Sequence, residues 1–133
     1  LEFRRVLFRS ALARWPHRRS TLYTLVDNLQ TLGRPDEVLA AVAEPLRLYP
    51  RDARLREARA RAYGEQGKRL LQHQEQAEVY LLRGSLPAAI EQLELARSSG
   101  EGNFYEMSVV DARLKELRAE HARDLQEQKK GKQ

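Results

Sequence analysis

The chain has 133 residues, enough for one domain with a real core, and it contains no cysteine. That absence removes disulfides, thiolate chemistry and cysteine-ligated zinc, though it leaves the compartment open. The 24 Lys and Arg against 19 Asp and Glu give a net charge of +5. The excess cations gather at the two ends, not on one aromatic-studded face, which argues against nucleic-acid binding.

Apolar runs are short, so nothing in the sequence is expected to insert into a membrane. Val6-Leu7-Phe8 is far too brief to be the apolar core of a secretory signal. Residues 1–10 nevertheless stand apart. Arg5-Val6-Leu7-Phe8-Arg9-Ser10 can be encoded by a string that matches a common sequencing-adapter end, so a non-native leader is expected there. The competing reading is a short cationic amphipathic helix at a membrane surface. Genomic DNA encoding the ten residues in the native gene would exclude the adapter. Residues 11–18, with Arg14, Arg18 and Arg19 close by, read as a disordered or frayed leader.

From residue 19 a helical pattern begins. Leu22, Leu25, Val26 and Leu29 follow i, i+3, i+4, i+7 spacing and predict one buried stripe. Gly33 is the expected stop, because glycine tolerates the left-handed conformation after a last turn. Pro35 suits the first turn of a second helix, whose stripe is Val38, Leu39, Val42 and Leu46. Asp52 is an N-cap candidate for a third helix carrying Leu55, Ala58, Ala62 and Tyr63. Ala60 to Gly67 aligns with Ala77 to Gly84 at a spacing of 17, and a weaker copy, Val26 to Gly33, lies 34 residues before the first. This resembles the end of the first helix of a tetratricopeptide repeat. The helix between Gly67 and Gly84 is expected to serve as second helix of one unit and first helix of the next, making the array irregular. Ser85 can cap a helix with the stripe Leu86, Ala89, Ile90, Leu93 and Ala96. Asn103 and Glu106 have capping-box spacing before a last helix seamed by Met107, Val110, Leu114 and Leu117. That seam turns polar at His121 and Asp124, so residues 120–133 are expected to form a frayed basic tail. The fold expected is all-α: about five to six helices in antiparallel hairpins of tetratricopeptide type over residues 19–119, with a long C-terminal helix.

No catalytic motif can be read from spacing. There is no HExxH, no phosphate-cradling glycine loop and no Ser/His/Asp arrangement, so neither catalysis nor a cofactor is expected of this chain. His73, within Gln72-His73-Gln74, reads as a half-buried histidine bonded to a glutamine before it reads as a metal ligand, since zinc needs three or four converging donors. Glu57 is expected to pair with Arg61 one turn on. What remains is a surface. In a stack of this class the first helix of each pair lines the concave side, so its residues off the buried stripe are the candidates for partner contact. These are Tyr23, Asp27 and Gln30, then Arg54, Glu57 and Arg61, then Gln74 and Glu78. Gly33, Gly67 and Gly84 are the expected turn residues. Tyr23, as an exposed rigid aromatic, is the strongest anchor candidate among them.

A narrower resemblance rests on Gly67 to Gln74, Ala88 to Ala96 and Asp111 to Arg118. These words resemble the C-terminal repeat region of bacterial periplasmic zinc metalloproteases similar to the beta-barrel assembly-enhancing protease. The likeness implies a periplasmic location. The implied partners are proteins or peptides, namely the outer-membrane beta-barrel assembly machinery and its substrates, together with the protein's own protease domain. Zinc would belong to an HExxH domain missing from this chain, so no metal or catalytic residue carries over to any position. With the adapter-like start, this reading expects a gene cut at its 5′ end. The alternative is a free-standing adaptor that binds peptides or partner proteins in the cytoplasm.

Overall fold

The structure, a computed structural model, describes residues 19–132. The expected leaders over 1–10 and 11–18 lie outside the described residues. Six helices follow one another: α1 (Arg19–Thr31), α2 (Pro35–Leu48), α3 (Ala53–Glu65), α4 (Arg69–Leu82), α5 (Leu86–Ser98) and α6 (Phe104–Gly131). No strand occurs among the described residues. Each helix packs on the next in sequence, and α1 also touches α3. The fold is all-α, built of antiparallel hairpins of tetratricopeptide type with a long closing helix.

The array is more regular than the sequence suggests. The starts of α1 and α3 lie 34 residues apart, as do those of α2 and α4, and α5 and α6 keep that period within one residue. Counted from α1, the hairpins are α1–α2, α3–α4 and α5–α6, which makes α4 the second helix of the middle unit. The expectation of a double-duty helix fails for a physical reason. Seventeen residues is the length of one helix plus its turn, so a 17-residue recurrence looks alike for first and second helices. Only the order of helices counted from α1 tells them apart.

The turns show why the recurrence exists. Gly33, Gly67 and Gly84 have φ of +66°, +74° and +82°, a region that penalises any Cβ. At each, the glycine N–H donates to the carbonyl three residues back and the next N–H reaches five back: Arg34 to Leu29, Lys68 to Tyr63, Ser85 to Tyr80. This is one Schellman geometry used three times, satisfying carbonyls the helix ends would leave open. The starts are less uniform. Asp52 caps α3 by accepting from Leu55 N at 3.1 Å. Asn103 and Glu106 form a reciprocal capping box on α6. Ser85 occupies the N-cap position of α5 without a side-chain bond, contrary to expectation. Pro87 in that first turn already removes one of the donors a cap would serve. At α4 the donor Leu70 N is met from a distance, by the Glu101 carboxylate at 3.2 Å.

The buried stripes build two apolar cores rather than one. Leu22, Val26 and Leu29 of α1 meet Val38, Val42 and Leu46 of α2 and Leu55, Ala58 and Ala62 of α3. Leu70 and Ala77 of α4 meet Ala89, Leu93 and Ala96 of α5 and Val110, Leu114 and Leu117 of α6. Each fully buried leucine contributes about 1.5–3 kcal/mol by leaving water. α3 and α4 pack closely on each other, and their contact carries a polar cluster. Glu75 receives Arg56 at 3.3 Å and Arg59 at 2.6 Å, all three side chains largely covered. Gly64 lets the helices close up: a Cβ there would lie 2.8 Å from Gln72 Nε2.

The last helix departs from expectation too. Its buried seam ends at Leu117, yet the helix runs on to Gly131 instead of fraying from residue 120. Among the described residues beyond Leu117, His121 alone is partly covered. Ala, Glu, Arg, Leu, Gln and Lys, all strong helix formers, make up most of this stretch, and propagation from a formed helix is cheap. Lys129 and Lys130 in the final turn also suit the negative end of the helix dipole.

Candidate partner-binding groove

A groove of about 460 Å³ opens where the first helices of two units meet α4. It is backed by Val26, Leu55, Ala58 and Ala60, all of them buried. Six of the eight residues expected on the concave side line it: Tyr23, Asp27, Gln30, Arg54, Glu57 and Arg61. Gln74 and Glu78 do not. They were placed on a first helix, but α4 is a second helix, and it turns Gln72 and Gln76 into the groove instead. Glu78 points to the other side, where it takes a two-pronged contact from Arg113 of α6 at 3.0 and 3.2 Å. Those hydrogen bonds raise the Arg113 pKa above its ordinary value despite the opposing cost of burial.

The groove's aromatic is built in rather than held out. Tyr23 is half-buried, its hydroxyl donates to Asp52 Oδ2 at 2.6 Å, and the Arg54 guanidinium lies over its ring at 4.5 Å. An exposed anchor was expected; the ring is instead a post that ties α1 to the start of α3. Asp52 is the hub of this joint. Only 7% exposed, it accepts from Leu55 N, from Tyr23 and from Arg19 Nη1 at 3.2 Å. Burial by itself would push the Asp52 carboxyl up, but the bonds from Tyr23, Leu55 and Arg19 prevail and hold it below the usual carboxylate range. Tyr23 shifts the other way: burial, then its bond to the Asp52 carboxylate, raises the phenol above its ordinary value.

Charge on the rim is paired within the chain. Arg54 meets Asp27 at 3.3 Å, Arg61 meets Glu65 at 3.3 Å, and Glu57 receives both terminal nitrogens of Arg83 at 3.0 and 2.8 Å. The expected Glu57–Arg61 pair is therefore replaced, because Arg83, at the end of α4, offers a bidentate fork across the hairpin. The amides behave differently. Gln30, Gln72 and Gln76 make no side-chain hydrogen bond among the described residues. Sequence reasoning missed Gln72 and Gln76. The available signal was the count of helices from residue 19, which makes α4 the fourth and so a second helix.

His73 is half-buried and its Nδ1 lies 2.8 Å from Gln92 Oε1, the glutamine partnership expected of it. Among the described residues no group of three or more His, Cys, Asp or Glu is placed to hold a metal ion. None of the described helices is long and apolar enough to cross a membrane. Neither a protein-family model nor a curated protein matches the chain.

Proposed function

We propose that this chain is a non-catalytic protein-interaction scaffold that receives a segment of a partner protein in the groove between α1, α3 and α4. The observation that carries this reading is the groove itself, where Tyr23, a charge-paired rim and three glutamine amides converge from three helices. Oriented polar groups converging on one concave face are what a recognition surface offers. Panning displayed random dodecapeptides against the protein tests it. Enriched peptides should lose binding when Asp27→Lys and Arg61→Glu are introduced together, two changes on exposed or half-exposed rim positions. Absence of enrichment, or binding indifferent to the double change, would refute it.

The finer reading rests on the sequence resemblance alone. On it, the chain is the repeat region of a periplasmic zinc metalloprotease that serves outer-membrane protein assembly and quality control, and zinc belongs to a separate HExxH domain. The native gene decides this. An in-frame HExxH domain and signal peptide upstream of residue 11 support it, whereas a start codon directly before residue 11 points to the cytoplasmic adaptor.

A further inference from the structure

Four of the seven exposed large apolar side chains among the described residues, Phe104, Tyr105, Val109 and Leu125, sit on α6, so open apolar surface concentrates on one helix. Phe104 and Tyr105 are 90% and 75% exposed. α6 is also the long helix, 28 residues against 14 for α2 and 13 for α5, and its buried residues end at Leu117. On the side away from Val110, Leu114 and Leu117 a second seam recurs every seven residues: Tyr105, Ala112 and Ala119, with Ser108, Lys115 and Ala122 between them. Phe104, Asp111, Arg118 and Leu125 line one edge of that seam, and Val109, Glu116 and Arg123 line the other. A seven-residue recurrence on an open helix face suits packing against another helix.

The charges on the two edges select which helix. A parallel copy of α6 would set Asp111 beside the partner's Glu116 and Arg118 beside the partner's Arg123, two like-charge pairs. An antiparallel copy sets each edge against itself. In one antiparallel register Phe104 meets the partner's Leu125, Asp111 meets the partner's Arg118, Tyr105 covers the partner's Ala122, and Val109 lies on the stem of the partner's Glu116. Sliding by seven residues one way opposes Asp111 to its own copy, and sliding the other way opposes Arg118 to its own copy. The first register alone answers the charges and the apolar side chains together, and two-fold symmetry repeats every contact. Asp111 already holds Arg97 of α5 at 3.2 Å, and Arg118 holds Glu94 at 2.9 Å. The new pairs therefore close chains of four alternating charges.

We propose that α6 is a homodimerisation helix, through which two copies of this chain pair antiparallel in that register. The overlap runs from Phe104 to Arg123, about 30 Å of helix. Each open aromatic brings about 150 Å² to the contact, which belongs at the lower end of stable interfaces, about 1,200 Å² in total. No residue of α6 lines the groove, so the dimer carries two grooves.

Sedimentation equilibrium of the full chain between about 1 and 200 μM tests the pairing. The mass should rise with concentration from 15.4 kDa to about twice that value. Phe104→Glu should weaken association at least about tenfold. Its helix signal should persist, because a carboxylate in the first turn suits the helix dipole. Leu32→Glu, at an exposed leucine outside α6, should leave association unchanged. The chain has no cysteine, so single cysteines report the register. Ala112 lies about 4.5 Å along the axis from its own copy, and Ala119 about 16.5 Å. Under mild oxidation Ala112→Cys should cross-link and Ala119→Cys should not, since a disulfide needs its Cα atoms within about 7 Å. A monomer at every concentration, the result if a different protein covers this face, would overturn the proposal. Association indifferent to Phe104→Glu, or cross-linking that favours Ala119→Cys, would overturn it equally.

Discussion

Replacing Asp52 with alanine should destabilise the protein by about 2.5 kcal/mol, an unusually large effect for a polar residue at a helix start. Loss of the cap on Leu55 N accounts for about 1 kcal/mol. The half-buried Tyr23 hydroxyl loses a charged acceptor at 2.6 Å, which adds about 1.5 kcal/mol. The Arg19 contact is solvated and adds nothing to this sum. Asp52→Asn keeps one oxygen, for Leu55 N, and turns its NH2 to the Tyr23 hydroxyl, which can accept where it now donates, so it should cost less, about 1 kcal/mol. The informative measurement is a double-mutant cycle with Tyr23→Phe, read from urea unfolding followed by circular dichroism. Because the two side chains touch, their coupling should reach about 1 kcal/mol. A stability change below about 0.5 kcal/mol for Asp52→Ala, or strictly additive effects in the cycle, would refute the joint as described.

Three further outcomes follow from the same geometry. Asp52 has a folded pKa below its unfolded one, so its stabilisation is complete above about pH 4 and is lost as pH falls through the folded value. Acid titration of the urea midpoint should therefore drop below about pH 4, and less steeply in Asp52→Asn. Gly84→Val should lower stability by about 1 kcal/mol or more, since φ is +82° there with open space around it, leaving backbone strain as the whole cost. An unchanged melting curve would mean that turn is not the Schellman stop described above. Glu101→Ala should cost about 1 kcal/mol by uncapping α4 from afar, and amide exchange should quicken at Leu70 before it quickens in α5.

Most helices were legible because local rules agreed at their boundaries. Asp52, the Asn103–Glu106 pair and the three glycines each sit where their own chemistry is strongest, and the apolar stripes fix which face turns inward. Pairing was less legible. Gly67 and Gly84 mark turns equally well whether α4 opens a unit or closes one, and the misassignment carried Gln74 and Glu78 into the candidate surface. Side-chain partners distant in sequence were invisible: Tyr23 and Asp52 are 29 residues apart, and Glu57 and Arg83 are 26 apart. Nothing local announces that a tyrosine on a helix face will donate to another helix's cap, so its ring read as exposed. The helical stretch past Leu117 was misjudged because absence of packing was weighed more heavily than intrinsic propensity.

The two apolar clusters are joined through α3 and α4, which pack closely on each other and carry the polar pairs of Glu75 between them. In a stack stabilised by nearest-neighbour terms, cooperativity is handed on through each such interface. Native-state hydrogen exchange should therefore show the α3 and α4 amides opening with the same free energy as the clusters they join. The groove lies over this joint, drawing Tyr23 and Arg54 from one side and Gln72 and Gln76 from the other. A segment seated there at free concentration c raises the opening energy of both clusters together, by RT ln(1 + c/Kd).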